Sequence, residues 1–168
     1  MEIQVKAYLG LGSNLGDRTA MLRGARQALQ RQPSVSVVAS SPLYETAPVG
    51  GPAGQPPYLN AVLAIGTVLT PERLLELCQQ VEKEFGRVRS ERWDARTLDI
   101  DILLFGTLLR LEPELILPHP RLHERAFVLT PLVDLDPELV HPVVYLTVGE
   151  LLQRLDTTEG VQRVADVW

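Results

Sequence analysis

The sequence is poor in the features that mark disulfide scaffolds, membrane proteins and nucleic-acid coats. One cysteine, Cys78, in 168 residues excludes an internal disulfide, and its place on an apolar helical stripe makes it a small core residue. No apolar run reaches the roughly 20 residues of a membrane helix. Residues 1–6, MEIQVK, lack the basic-then-apolar pattern of a signal peptide. The expected compartment is therefore the cytoplasm, with no membrane partner. Positive charge is scarce too. Sixteen Lys and Arg against 21 Asp and Glu give a formal net charge of −5, the wrong sign for a protein that coats nucleic acid. There is no internal repeat and no low-complexity linker. What remains is ordinary globular composition, 45% hydrophobic, in a length that fits one domain over 1–168.

The pattern of apolar residues predicts the elements. Residues 5–12 alternate and read as a strand. Asp17 is a natural N-cap for a helix to about Arg31, with Met21, Leu22, Ala25, Ala28 and Leu29 on one face. Pro33-Ser34 breaks it, and residues 35–39 read as a second strand. Proline and glycine make 46–57 a loop, of a length that marks a functional or mobile segment. Residues 58–69 form a third strand. Thr70-Pro71-Glu72 starts a second helix, with Leu74, Leu77, Cys78, Val81 and Phe85 as its stripe and Gly86 as its stop. An irregular stretch, 87–97, precedes a strand over 98–105. Shorter elements are expected at 115–117, 125–135 and 148–155. The order βαββαβ, with two helices on one face of an antiparallel sheet, gives an α+β fold of the ferredoxin-like type with extra C-terminal elements.

Four segments are candidates for chemistry. Glycines 10, 12 and 16 miss the dinucleotide spacing, and no Gly-Lys-Ser/Thr follows, so a strand-to-helix turn accounts for them; main-chain contacts at Ser13 and Asn14 stay open. In Leu98-Asp99-Ile100-Asp101-Ile102, residues two apart share a face, so both carboxylates point one way. They are either solvated acids on an exposed face or ligands of cations; their apolar flanks suggest a central strand and favour the cations. Mg²⁺ suits such a pair, because it takes one or two carboxylates plus phosphate and water. Just upstream, Arg87, Arg89, Arg92 and Arg96 fall within ten residues of an acidic chain. Arginine forks match phosphate oxygens, so arginines beside a carboxylate pair fit a nucleotide–Mg²⁺ site. Farther on, His119 and His123 lack the Glu of a zinc helix and are interrupted by Pro120; phosphate contacts from His119 and Arg125 fit better.

Together these segments resemble the 6-hydroxymethyl-7,8-dihydropterin pyrophosphokinase family over about residues 5–155. The matching wording is Gly12-Ser13-Asn14-Leu15-Gly16, Tyr44-Glu45-Thr46-Ala47-Pro48, Tyr58-Leu59-Asn60, Gly86-Arg87-Val88-Arg89, Leu117-Pro118-His119-Pro120-Arg121 and Arg125-Ala126-Phe127. The most specific block is Arg92-Trp93-Asp94-Ala95-Arg96-Thr97-Leu98-Asp99-Ile100-Asp101. The chain departs from the commonest wording at Asp94-Ala95, Glu114, Ile116 and Pro120.

The resemblance implies the following roles. ATP is the co-substrate, and its pyrophosphoryl group goes to the pterin, giving AMP and the pterin diphosphate in folate synthesis. Asp99 and Asp101 hold two Mg²⁺ ions. Arg87 and Arg96 grip the phosphates during transfer. Gln79, Glu82, Arg89, Arg92, Trp93, Ile102, His119 and Arg125 bind ATP. Tyr58 and Phe127 sandwich the pterin, Asn60 hydrogen-bonds its edge, and main chain near Thr46 and Val49 completes the pocket. The partners are small molecules, with no nucleic acid, and a monomer is among the expectations.

Overall fold

The computed structural model describes residues 3–47, 56–86, 98–156, 158 and 160–168. Along the chain run β1 (Val5–Ser13), α1 (Arg18–Gln30), β2 (Val35–Ser40), β3 (Leu43–Thr46), β4 (Tyr58–Thr67), α2 (Pro71–Glu84), β5 (Asp99–Phe105), β6 (Arg110–Glu112), β7 (Leu115–Leu117), a 3-10 turn (Leu122–Glu124), α3 (Ala126–Leu135), α4 (Val148–Gln153) and β8 (Val161–Ala165). The two long helices begin where their caps place them. The Asp17 side chain accepts from the Ala20 amide, and Thr70 accepts from Arg73 with Pro71 in the first turn. In α4 the cap is reciprocal between Thr147 and Glu150.

The main sheet has the order β5-β1-β4-β3-β8, with β2 also paired to β4. All the pairings in it are antiparallel. Alternation sorts the central strands into two faces. Ala7, Leu9 and Leu11 of β1 join Leu59, Ala61, Leu63 and Ile65 of β4 under α1 and α2. Tyr8, Val62 and Ala64 face the other way, into a second core with Leu129 and Leu132 of α3 and Val148 and Leu151 of α4. Each leucine fully enclosed in these layers contributes about 1.5–3 kcal/mol. The α+β, ferredoxin-like architecture is the one expected, and α3 and α4 give the sheet its second cover.

Several local expectations change. A strand that was not expected, β3, follows β2 after a break, because Pro42 cannot donate to a ladder. There Ser41 exchanges bonds with Val62 instead, its amide donating to the Val62 carbonyl and its hydroxyl accepting from the Val62 amide. Gly10 and Gly12 lie inside β1 and not in the turn, which contains Gly16 at φ 71°. The strands β6 and β8 carry no alternation strong enough to announce them.

The largest correction concerns β5, expected to be central. It is an edge strand with β1 as its strand neighbour. Its apolar run reflects cover on both faces. Ile100, Ile102 and Phe105 enter the α1–α2 core, while Leu103 and Leu104 enter the α3–α4 core. The switch is made by an irregularity in register: Leu9 pairs with Ile102 and Tyr8 with Leu104, so Leu103 is an inserted residue of the bulge kind. Its carbonyl receives the His119 amide at 2.9 Å, which ties the segment after β7 to the edge.

Candidate functional site

The sheet face under α3 holds a cavity of about 210 Å³, lined by Gly10 and Gly12 of β1, Tyr58 and Asn60 of β4, Asp99 and Asp101 of β5, and Arg125, Phe127 and Val128 at the start of α3, with Thr46 at one side. Tyr58 and Phe127, 69 positions apart in sequence, are both half-buried here. The Arg125 guanidinium lies 5.5 Å from the centroid of the Phe127 ring, within cation–π range. Asn60 is buried and its Nδ2 donates to Thr46 Oγ1 at 2.6 Å. That bond fixes the plane of its amide against the cavity.

Register explains why the two acids have room. Asp101 pairs across the ladder with Gly10, and Asp99 with Gly12. Each carboxylate therefore has a neighbour without a side chain on the strand beside it. A Cβ on Gly12 would come within 3.1 Å of Asn60 Oδ1, so the glycine keeps the floor open. Asp99 is half-buried and Asp101 exposed. Among the described residues no group of three or more His, Cys, Asp or Glu forms a metal cage. Two carboxylates do not suit a closed zinc site, which takes four protein ligands. They do fit Mg²⁺, which keeps water and shares substrate phosphates.

Asp101 also borders a second cavity, about 230 Å³, with Ile102, Glu114, Ile116, His119 and Pro120. Asp101 thus stands between two compartments. His119 is held from both ends. Its amide donates to Leu103, and its Nδ1 accepts from the Arg121 amide at 3.2 Å. With Nδ1 accepting, the neutral ring carries its proton on Nε2. Burial holds the His119 pKa below its ordinary value. Asp101 opposes that shift, while Arg125 and Arg121 add to it.

Of the predicted site residues, Thr46, Tyr58, Asn60, Asp99, Asp101, Arg125 and Phe127 meet at the first cavity, and Ile102 and His119 at the second. Gln79 is exposed on α2 and lines neither. Glu82 is 5% exposed, and its carboxylate accepts from the Ile100 amide at 2.9 Å. Val49, Arg87, Arg89, Arg92, Trp93 and Arg96 lie outside the described residues. Sequence reasoning missed Gly10 and Leu103 as cavity walls. The signal for Gly10 was present, since glycines at alternate positions of an apolar strand imply something close to the backbone.

Residues 8–137 match the family described as 7,8-dihydro-6-hydroxymethylpterin-pyrophosphokinase. The 2-amino-4-hydroxy-6-hydroxymethyldihydropteridine pyrophosphokinase of Methylorubrum extorquens is 47% identical over 159 residues, covering 95% of this chain and 98% of that protein. The Bacillus subtilis protein of the same name is 49% identical over 129 residues, 77% of each chain. Among solved structures, wild-type Plasmodium falciparum HPPK-DHPS with pteroate superposes at a TM-score of 0.76. It covers 97% of this chain at 15% identity, and this chain spans 48% of that one, so the likeness speaks for the fold.

Proposed function

The chain belongs to the 7,8-dihydro-6-hydroxymethylpterin-pyrophosphokinase family, and from that premise we propose how its residues divide the work. It transfers pyrophosphate from ATP to 6-hydroxymethyl-7,8-dihydropterin, giving the pterin diphosphate and AMP, a step of folate synthesis. The observation that carries the assignment of parts is the first cavity. Two aromatic rings, a fixed amide and two carboxylates line it, although they come from β4, β5 and α3.

The pterin lies between Tyr58 and Phe127 with its edge on Asn60, where aromatic stacking and one oriented amide select a flat heterocycle. ATP occupies the neighbouring compartment, with Ile102 beside the base and His119 and Arg125 donating to phosphate oxygens. Gln79 and Glu82 on α2, and Arg89, Arg92 and Trp93, complete that side. Main chain near Thr46 and Val49 closes the pterin side. Asp99 and Asp101 hold two Mg²⁺ ions, whose chemistry when bound is to neutralise phosphate charge and align attacking and leaving oxygens. Arg87 and Arg96 brace the phosphates through transfer. The hydroxymethyl oxygen bonds to the β-phosphorus, the bond from that phosphorus to the α,β-bridging oxygen breaks, AMP leaves and the hydroxyl proton is released. Positioning and charge balance supply most of the acceleration in such reactions. We propose that the enzyme is a monomer of a single domain. We place it in the cytoplasm, as expected for a chain in which no described helix is long and apolar enough to cross a membrane.

The test is to incubate the protein with ATP, Mg²⁺ and the reduced pterin and to separate the nucleotides. AMP in step with pterin diphosphate is the expected result. ADP would make it an ordinary kinase and end the pyrophosphoryl assignment.

A further inference from the structure

We propose that Glu82 is a positioning residue for the carboxylate pair, holding the backbone of β5 in place between Asp99 and Asp101. The inference rests on the reading of that pair as the Mg²⁺ site.

The geometry starts with α2. Its Thr70 cap and Pro71 fix where the helix begins, and Cys78 and Glu82, one turn apart, then share a face. Among the described residues β5 is an edge strand, and amides along its outer side have no ladder partner there. The Ile100 amide is one of them, and it donates to Glu82 Oε2 at 2.9 Å. Ile100 is the residue between the two acids, so a slip or twist of this peptide would move both carboxylates relative to Gly10 and Gly12.

Glu82 brings a carboxylate to a place that solvent hardly reaches. Its side chain is nearly enclosed, and burying a carboxylate is unfavourable unless it is well bonded. It stands in the last turn of α2, where the helix end already carries partial negative charge. It is also close to other negative groups: the Cys78 thiol is pushed well up by burial and further by the charges of Glu82 and Asp101. A charged acceptor makes the stronger bond, which suits a peptide that must stay put under two flanking acids.

The experiment compares wild type with Glu82→Ala, Glu82→Gln and, as control, Asp101→Asn. Three quantities are read: exchange of the Ile100 backbone amide by NMR, Mn²⁺ binding by electron paramagnetic resonance in the presence of a non-hydrolysable ATP analogue, and affinity for that analogue in EDTA. For Glu82→Ala we expect faster Ile100 exchange and Mn²⁺ affinity lower by about tenfold or more, read at an analogue concentration that saturates each variant as its affinity in EDTA defines. Glu82→Gln keeps an oxygen that can accept from Ile100, so its Mn²⁺ affinity should stay within about threefold of wild type. Wild-type Mn²⁺ affinity in Glu82→Ala, with loss in Asp101→Asn, would overturn the proposal. So would a Glu82→Gln defect as deep as that of Glu82→Ala. Undiminished Mn²⁺ binding in Asp101→Asn would instead show that the pair is not the metal site, and the proposal would fall with it.

Discussion

At the scale of single residues the site divides into groups that hold charge and groups that hold shape, and they should fail differently. Asp99→Asn and Asp101→Asn remove charge from a place that the facing glycines keep open. Each should cut turnover by about a hundredfold or more, judging from what loss of even supporting partners costs metal sites. The metal-free protein should melt no lower than wild type, since a like-charge pair is relieved. Near-normal turnover with unchanged Mg²⁺ dependence in either variant would return both acids to the status of solvated surface groups. Tyr58→Ala and Phe127→Ala should weaken pterin binding far more than ATP binding, each losing about 0.5–1.5 kcal/mol of stacking beyond the area term. Equal loss for both ligands, together with a lower melting temperature, would mark the rings as core and not as a clamp.

At the scale of elements, how much was legible depended on whether a pattern has one physical cause or two. The helices α1 and α2 were legible because a cap, a stripe and a stop agree. The strands β1 and β4 were legible from apolar alternation and β-branched residues. The place of β5 in the sheet was not, because an apolar run records cover on both faces and is silent about which strands pair with it. Nor was the bond from Glu82 to Ile100, which depends on the register of a helix over a sheet edge. The pairing of Tyr58 with Phe127 came through family resemblance, since nothing local joins two rings so far apart in sequence. The segment from α3 to α4 illustrates a further consequence of burial. His141 is 4% exposed, and its Nδ1 accepts from the Val143 and Val144 amides. Burial, with a smaller contribution from nearby His123, lowers its pKa. A histidine with a depressed folded pKa contributes stability above its unfolded value of about 6.5, and that contribution is lost as pH falls through the folded value. His119 acts with the same sign. Urea midpoints should therefore drop between pH 7.5 and 5.5, and His141→Asn should flatten the drop; an unchanged pH slope in that variant would remove His141 from the account.

At the scale of the whole molecule, the last strand joins the site's supports to the rest of the chain. On β8, Arg163 donates to Asp134 of α3 at 3.1 Å and to the Tyr44 hydroxyl at 3.2 Å, and Tyr44 in turn donates to Asp134. Trp168 is buried, with its indole N–H on the Ser41 carbonyl at 2.7 Å and the Arg26 guanidinium 4.1 Å from its ring centroid. Trp168→Ala should cost about 3–5 kcal/mol and lower Tm by on the order of 10 °C. A fall of less than about 2 °C would mean that the tail is an ornament on an already complete sheet. The position of β1 has a consequence for synthesis. Leu11 pairs with Ala61 on one side and Ile100 on the other, so the first strand made gains its neighbours only after much of the chain has been translated. At about 5–20 residues per second, the nascent strand waits for seconds with its apolar face uncovered, a window in which chaperones compete with aggregation. The proposed aromatic clamp waits longer still, because Phe127 must emerge before the cavity has both of its rings.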